Sequence, residues 1–280
     1  MISTAPAPRR RFARALSAAA AIATLTLLAA GCSAQDNGNQ AKASDEAAQE
    51  ISGTLTVSAA ASLQPAFEQL TQDFARAHPG VTFETLSFDG SSVLATQIIG
   101  GAPVDVFASA DAKNMKKVQD AGLVAGAPTP FAKSLLQIAV APGNPLGIHT
   151  LADLAKTPGG KTPTVVLCAA EVPCGAASQT LLTRDGVSLK PASEEQNVTA
   201  VLTKVQAGEA DAGLVYRSDV LRSAGKVEGI AIEGASEAAG LYLIAPLKDA
   251  KSPEAARAFT EFLTSQHAQE VLNQLGFDQA

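Results

Sequence analysis

The chain has 280 residues, of which 17% are charged, and a formal net charge of −6. Four of its 21 basic residues and none of its 27 acidic residues precede Cys32, so the rest of the chain carries a net charge of −10. Such a surface argues against nucleic acid as a partner, and it repels anions at long range. Any anion site must therefore depend on local hydrogen bonds.

The first 32 residues have the pattern of a secretory signal peptide. Four arginines precede an apolar run from Ala18 to Ala30, which is too short and wrongly flanked for a membrane-spanning helix. The run ends in Leu28-Ala29-Ala30-Gly31-Cys32, which resembles a lipobox. We expect Cys32 to carry a lipid that holds an exported protein at the outer face of the cell membrane. A plain secreted signal, with Cys32 a free thiol, is the alternative.

Residues 33–52 are mostly small or polar, and a segment of this composition cannot bury enough surface to fold. We therefore predict a flexible tether between the anchor and the folded part. The residues that follow, roughly 230 in number, suffice for one large domain or for two lobes.

Strands and helices alternate from residue 54 onwards. The first helix carries Leu63, Phe67, Leu70 and Phe74 on one apolar face. The pattern predicts strands at 54–59, 81–88, 104–108, 135–141, 164–167, 212–216, 227–232 and 241–246, and helices at 63–74, 91–98, 111–121, 151–155, 175–183, 198–206, 253–263 and 266–275. Repeated strand–helix alternation predicts an α/β fold with mixed, mostly parallel sheets flanked by helices.

Two such α/β units are predicted, because the chain has candidate crossings near 134–138 and 241–244. The first lobe would comprise 53–134 and the returning segment 239–280, and the second lobe 135–238. Since open α/β sheets bind ligands at the carboxyl ends of their strands, we expect the ligand in the cleft between the lobes.

Cys168 and Cys174 remain once Cys32 is assigned to the lipid. An exported protein folds in an oxidising compartment, which favours a disulfide between them, with free thiols as the alternative. The three histidines are scattered and the cysteines are few, so the sequence offers no zinc site.

Small or polar residues stand at four predicted helix starts, two in each lobe. They are Ala60–Ser62, Gly90–Ser92, Val172–Gly175 and Gln196–Val198. A helix start exposes unpaired N–H groups and the positive end of the helix dipole, so it accepts an anion without Lys or Arg. A serine there is often only an N-cap, but four starts together favour an anion site.

Several stretches resemble the molybdate-binding proteins of ABC transporters. In chain order they are Val57–Leu63, Phe88–Ile98, Gly101–Asp111, Val172–Gly175 and Gly213–Asp219. The resemblance extends from about residue 54 to residue 277. It implies a two-lobed, type II periplasmic-binding-protein fold. It also implies a monomer that is not an enzyme and needs no cofactor, and that captures molybdate or tungstate for the permease of an ABC importer.

The resemblance also implies which residues contact the ligand. They are the hydroxyl groups of Ser62, Ser91 and Tyr216 and the backbone amides of Cys174 and Val198. Cys174 departs from the small residue expected there, but a backbone contact tolerates this change. We expect Asp89 to point away, since a carboxylate beside a dianion is unfavourable.

Three alternatives compete with molybdate capture. A protein of the same fold could bind sulfate or thiosulfate, because sulfate differs from molybdate chiefly in size. An exported serine hydrolase is disfavoured because the chain has no Gly-x-Ser-x-Gly elbow. An iron-binding protein would need clustered Tyr or His ligands, and Tyr216 and Tyr242 are the only tyrosines.

Overall fold

The computed structural model describes residues 50–280. The predicted signal peptide at 1–32, the lipidated Cys32 and the predicted tether up to residue 49 lie outside the described residues. Within residues 50–280, no helix is both long and apolar enough to cross a membrane.

The first sheet has five strands in the order β2-β1-β3-β10-β4. They are β1 (Gly53–Ala60), β2 (Val81–Asp89), β3 (Val106–Ser109), β4 (Thr129–Ser134) and β10 (Gly240–Pro246). β1 pairs in parallel with β2 and β3, whereas β10 lies antiparallel between β3 and β4. We call this sheet and its helices lobe 1.

The second sheet also has five strands, in the order β7-β6-β8-β5-β9. They are β5 (Leu136–Val140), β6 (Val165–Cys168), β7 (Ser193–Glu195), β8 (Ala212–Tyr216) and β9 (Glu228–Ala231). β6 pairs in parallel with β7 and β8, whereas β5 lies antiparallel between β8 and β9. We call this sheet and its helices lobe 2.

The two sheets share one arrangement. In each, the fourth strand in spatial order runs against the other four, so the sheets are mixed but mostly parallel. The chain passes from the first sheet to the second between Ser134 and Leu136, and it returns between Ala231 and Gly240. This is the α/β fold class predicted from the sequence.

Eight α-helices flank the two sheets within the described residues. They are α1 (Gln64–Ala77), α2 (Ser91–Ile99), α3 (Ala112–Asp120), α4 (Pro173–Arg184), α5 (Val198–Gln206), α6 (Arg217–Arg222), α7 (Pro253–Phe262) and α8 (Gln266–Gln274). α1 buries Phe67, Leu70 and Phe74 against the first sheet, as its apolar periodicity predicts. The helix predicted at 151–155 is only a single 3-10 turn, Ala152–Leu154.

Three short elements, β4, β7 and α6, were not predicted from the sequence. β7 consists of Ser193, Glu194 and Glu195, none of which is a typical strand former. Its pairing with β6 defines it as a strand, so tertiary contact decides here rather than local propensity. β4 contains Pro130 at the edge of the first sheet, a position where a missing N–H is tolerated.

Candidate functional site

A small cavity lies between the two lobes, at the ends of strands from both sheets. Its lining residues are Ala60, Ala61, Ser62, Asp89, Gly90, Ser91 and Ala110 from lobe 1, and Val172, Pro173, Cys174, Val198 and Tyr216 from lobe 2. All five residues predicted to contact the ligand are therefore brought together, although they span more than 150 positions of sequence. Their binding roles themselves remain predictions.

The volume of the cavity limits what it admits. Its walls leave about 10 Å³ for the centre of a water-sized sphere, far below the about 300–1,000 Å³ of pockets that hold drug-sized ligands. With the lobes in this arrangement, a space of this size suits a group of a few atoms.

Helix starts converge on the cavity from both lobes. α2 begins at Ser91, two residues after the end of β2; α4 begins at Pro173; and α5 begins at Val198, three residues after the end of β7. The first N–H groups of a helix have no partner within the helix. At α5, the side chain of Asn197 accepts a hydrogen bond from the N–H of Ala200. The N–H groups of Val198 and Thr199, which precede it, are not engaged by this N-cap bond. The wall thus presents backbone donors.

Two serine hydroxyl groups add donors from lobe 1. Ser91 Oγ accepts a hydrogen bond of 3.0 Å from the N–H of Ala110, so its own hydrogen is free to donate into the cavity. Ser62 Oγ lies 2.9 Å from the Tyr242 hydroxyl oxygen. If Tyr242 is the donor of that pair, the hydroxyl hydrogen of Ser62 is also free to point into the cavity.

Tyr216 contributes the third hydroxyl group, from the end of β8 in lobe 2. The residue is 2% exposed, and its hydroxyl oxygen has no hydrogen-bond partner among the described residues. Burial raises the pKa of this hydroxyl group, and the Asp111 and Asp219 carboxylates raise it further. The hydroxyl therefore stays protonated and is a donor. A buried hydroxyl group without a partner costs about 1–3 kcal/mol, which a ligand acceptor would offset.

Tyr242 contacts two residues of the cavity wall, Ser62 and Tyr216, and was not predicted to do so. Its ring centroid lies 6.0 Å from that of Tyr216, and its hydroxyl group pairs with Ser62 rather than lining the cavity. The two residues are 180 positions apart. No local pattern links them, because the contact arises only when β10 returns to the first sheet.

A disulfide joins Cys168, at the end of β6, to Cys174, near the start of α4. It closes the loop that carries Val172 and Pro173 into the cavity wall. Gly175 is required next to it, because a Cβ atom at that position would overlap the carbonyl oxygen of Ala169. The loop is therefore fixed both covalently and by close backbone packing.

Asp89 is one of the residues that line the cavity, and the prediction that its carboxylate points away from the ligand stays a prediction. Its Oδ1 atom accepts two hydrogen bonds, one of 2.7 Å from the N–H of Gly90 and one of 2.8 Å from Asn197 Nδ2. The two lobes are thus joined by a side-chain hydrogen bond beside the cavity, from the N-cap of α5 to the end of β2. This contact had not been predicted.

The charge of the wall is unusual for an anion site. Among the residues that the structure describes, no lysine or arginine lines the cavity, and Asp89 is the one charged lining residue. Within the same part of the chain, no group of three or more His, Cys, Asp or Glu side chains is arranged to hold a metal ion. The chemistry that remains is donation by hydroxyl and N–H groups.

These features define a two-lobed binding protein whose cleft suits a small acceptor-rich group. Residues 55–278 match the family described as bacterial extracellular solute-binding protein, and the chain belongs to that family. The match covers both lobes.

Individual relatives refine this assignment. The chain is 46% identical over 224 residues to the molybdate-binding protein ModA of Mycobacterium tuberculosis, which covers 80% of this chain and 84% of the relative. It is 31% identical over 265 residues to YvgL of Bacillus subtilis, provisionally named as an ABC transporter substrate-binding lipoprotein, with 91% and 96% of the two chains covered.

A solved structure has the same fold. The periplasmic molybdate-binding protein of Azotobacter vinelandii superimposes with a TM-score of 0.68 at 21% identity, covering 81% of this chain and 99% of the other.

Proposed function

We propose that this chain is the extracytoplasmic binding protein of an ABC importer and that it captures molybdate. The observation that carries the proposal is the composition of the cavity wall. Three hydroxyl groups, from Ser62, Ser91 and Tyr216, face the same small space as the starts of three helices. The ModA relative, 46% identical, is named for molybdate binding.

The chemistry of the ligand fits such a wall. Molybdate is a dianion whose four oxygens accept hydrogen bonds and donate none. Each hydrogen bond to a charged group contributes about 1.5–3 kcal/mol net, so several together offset the cost of removing a dianion from water. A wall made chiefly of donors also disfavours HPO₄²⁻, whose hydroxyl group needs an acceptor. The one carboxylate in the wall, Asp89, accepts two hydrogen bonds at its Oδ1 atom, so a comparison with phosphate also tests whether its Oδ2 atom accepts from a ligand hydroxyl group.

We also propose a second ligand, an oligomeric state and a location for the protein. Tungstate, with the same charge and shape, is a second ligand. The protein works as a monomer, catalyses no reaction and requires no cofactor. It is exported, held at the outer face of the cell membrane by a lipid on Cys32, and it passes the anion to a membrane permease. Mass spectrometry of the protein purified from membranes tests the anchor, because an unmodified Cys32 or an N-terminus near residue 30 would contradict it.

Titration calorimetry of the purified protein tests the ligand. Molybdate and tungstate are expected to bind tightly, each at one site per chain, and sulfate much more weakly. Phosphate at the same pH serves as a second competitor that carries a hydroxyl group. If sulfate bound as tightly as molybdate, the protein would be a sulfate-type oxyanion binder of the same fold, and the molybdate assignment would be wrong.

A further inference from the structure

Asp89 and Asn197 stand at matching places in the two lobes. Asp89 is the last residue of β2, one residue before the N-cap of α2, and Asn197 is the N-cap of α5. Each is thus attached to a helix start that lines the cavity, at Ser91 and at Val198. A bond between these two side chains joins the two lobes at the rim of the site.

The orientation of the Asn197 amide is fixed by its own helix. Its Oδ1 atom accepts from the N–H of Ala200 at 2.9 Å, which is an ordinary N-cap bond. The Nδ2 group must then face away from the helix, and it donates to Asp89 Oδ1 at 2.8 Å. The cap therefore aims the donor across the cleft, and a bond to a carboxylate is a strong one.

The backbones of the two lobes also meet beside this bond. A Cβ atom added at Gly90 would overlap the carbonyl oxygen of Gln196, and it would lie 3.4 Å from a methyl carbon of Val172. Only glycine permits this approach. Because backbone atoms cannot yield as a flexible side chain does, the contact sets how closely the lobes approach, and the Asp89–Asn197 bond holds them there.

We propose that Asp89 and Asn197 form a latch between the lobes that sets the rate at which the bound oxyanion is released. The identity of the released ligand rests on the proposed function, whereas the bond between the lobes depends only on the side chains of Asp89 and Asn197. It explains why a carboxylate is present in the wall of an anion site. Its repulsion of the ligand is offset by a charge-assisted bond that keeps the cleft shut.

The test exchanges the two side chains. In Asn197→Asp the new carboxylate still caps α5, because Asp is as good an N-cap as Asn, but it faces Asp89 and repels it. In the double variant Asp89→Asn/Asn197→Asp, a rotation of the side chain at 89 lets its Nδ2 group donate to the carboxylate at 197 while its Oδ1 atom still accepts from the N–H of Gly90. The latch is then restored with its roles reversed. The double variant also has the net charge of the unaltered protein.

Release of molybdate is followed by stopped-flow displacement with excess tungstate. We expect release to be about tenfold faster or more in Asn197→Asp, the scale of one lost charged hydrogen bond. In the double variant we expect a rate within about threefold of the unaltered protein. Gln97→Glu is the matched control, because it adds the same negative charge at an exposed position of α2 that belongs neither to the cavity wall nor to the latch. It is expected to release at nearly the unaltered rate.

Three results would overturn the latch: release from Asn197→Asp at the unaltered rate, a double variant as fast as the single one, or equal acceleration by Gln97→Glu. Hydrogen exchange of segments 86–94 and 193–200, measured without added anion, separates this failure from failure of the proposed function. If the protein does not bind molybdate, the proposed function is refuted. The latch is still supported if hydrogen exchange of these segments is faster in Asn197→Asp and returns to the unaltered rate in the double variant. Unchanged exchange in Asn197→Asp contradicts it.

Discussion

The two lobes have the same strand arrangement but differently composed cores. The core of lobe 1 contains seven buried aromatic side chains: Phe67, Phe74, Phe107, Phe131, Tyr242, Phe259 and Phe277. In the described core of lobe 2, Tyr216 is the sole aromatic side chain, and the rest is Val, Leu, Ile and Ala with the Cys168–Cys174 disulfide. One topology is therefore stabilised by ring packing in one lobe and by aliphatic packing with a covalent link in the other.

The same division appears at the cavity. Lobe 1 contributes the hydroxyl groups of Ser62 and Ser91, whereas lobe 2 contributes the starts of α4 and α5 together with the Tyr216 hydroxyl. Lobe 1 thus presents two hydroxyl groups and the start of α2 beside an aromatic core, and lobe 2 presents one hydroxyl group and two helix starts, one of them on the loop that the disulfide closes. This difference can be tested by substitutions that act on one lobe at a time.

The largest effect is expected in the aromatic core of lobe 1. Phe259 is fully buried and its ring packs against Phe67, Phe74 and Phe83. Phe259→Ala should lower the free energy of unfolding by about 3–5 kcal/mol, as measured by urea denaturation. Leu214→Ala, at a fully buried site in lobe 2, is the aliphatic comparison and should cost about 2–5 kcal/mol, less than Phe259→Ala because fewer buried atoms are removed. A larger loss at Leu214 than at Phe259 would contradict the view that aromatic packing dominates lobe 1.

The second prediction compares the loss of molybdate affinity when the hydroxyl group of Tyr216, in lobe 2, or of Tyr242, in lobe 1, is removed. Tyr216→Phe removes a donor that lines the cavity, so molybdate affinity should fall by about 1.5–3 kcal/mol with little loss of stability. Tyr242→Phe removes only the partner of Ser62, so it should weaken binding by about 0.5–1.5 kcal/mol. Calorimetry measures both. Unchanged affinity in Tyr216→Phe would remove this residue from the site.

The third effect concerns the loop of lobe 2. Replacing both Cys168 and Cys174 with Ala opens a short loop, and the chain-entropy relation gives a loss of about 2 kcal/mol in the free energy of unfolding. Urea denaturation with and without a reductant measures it. The reductant should destabilise the unaltered protein and leave the double variant unchanged. A response of the double variant to reductant would show that the effect does not come from this disulfide.

Long, regular elements of the fold could be predicted from the sequence because their signals are local. The spacing of Leu63, Phe67, Leu70 and Phe74 identifies α1 from one segment alone. β7 could not be identified in this way, since its Ser-Glu-Glu sequence becomes a strand only by pairing with β6. The prediction of a helix at 151–155 was wrong, because a few apolar residues at helical spacing do not make a segment long enough to form a stable helix. The structure has a single 3-10 turn there, Ala152–Leu154.

In the candidate site, too, local features could be predicted from the sequence and a contact between distant residues could not. The helix starts at Ser91, Cys174 and Val198 follow from local sequence and from the resemblance. The Asp89–Asn197 bond joins residues 108 positions apart. Nothing in either segment alone indicates the other, so the bond could be found only from the way the two sheets approach each other.

The absence of lysine and arginine from the cavity wall, within the residues that the structure describes, affects how the protein would respond to salt. The chain after Cys32 carries a net charge of −10, so an oxyanion approaches against repulsion that is screened over about 8 Å at physiological ionic strength. Inside the cleft, buried donors are hardly screened. Added salt should therefore speed association and leave dissociation almost unchanged. An anion site built on cationic side chains would respond in the opposite sense, so this protein would capture its ligand best in saline surroundings.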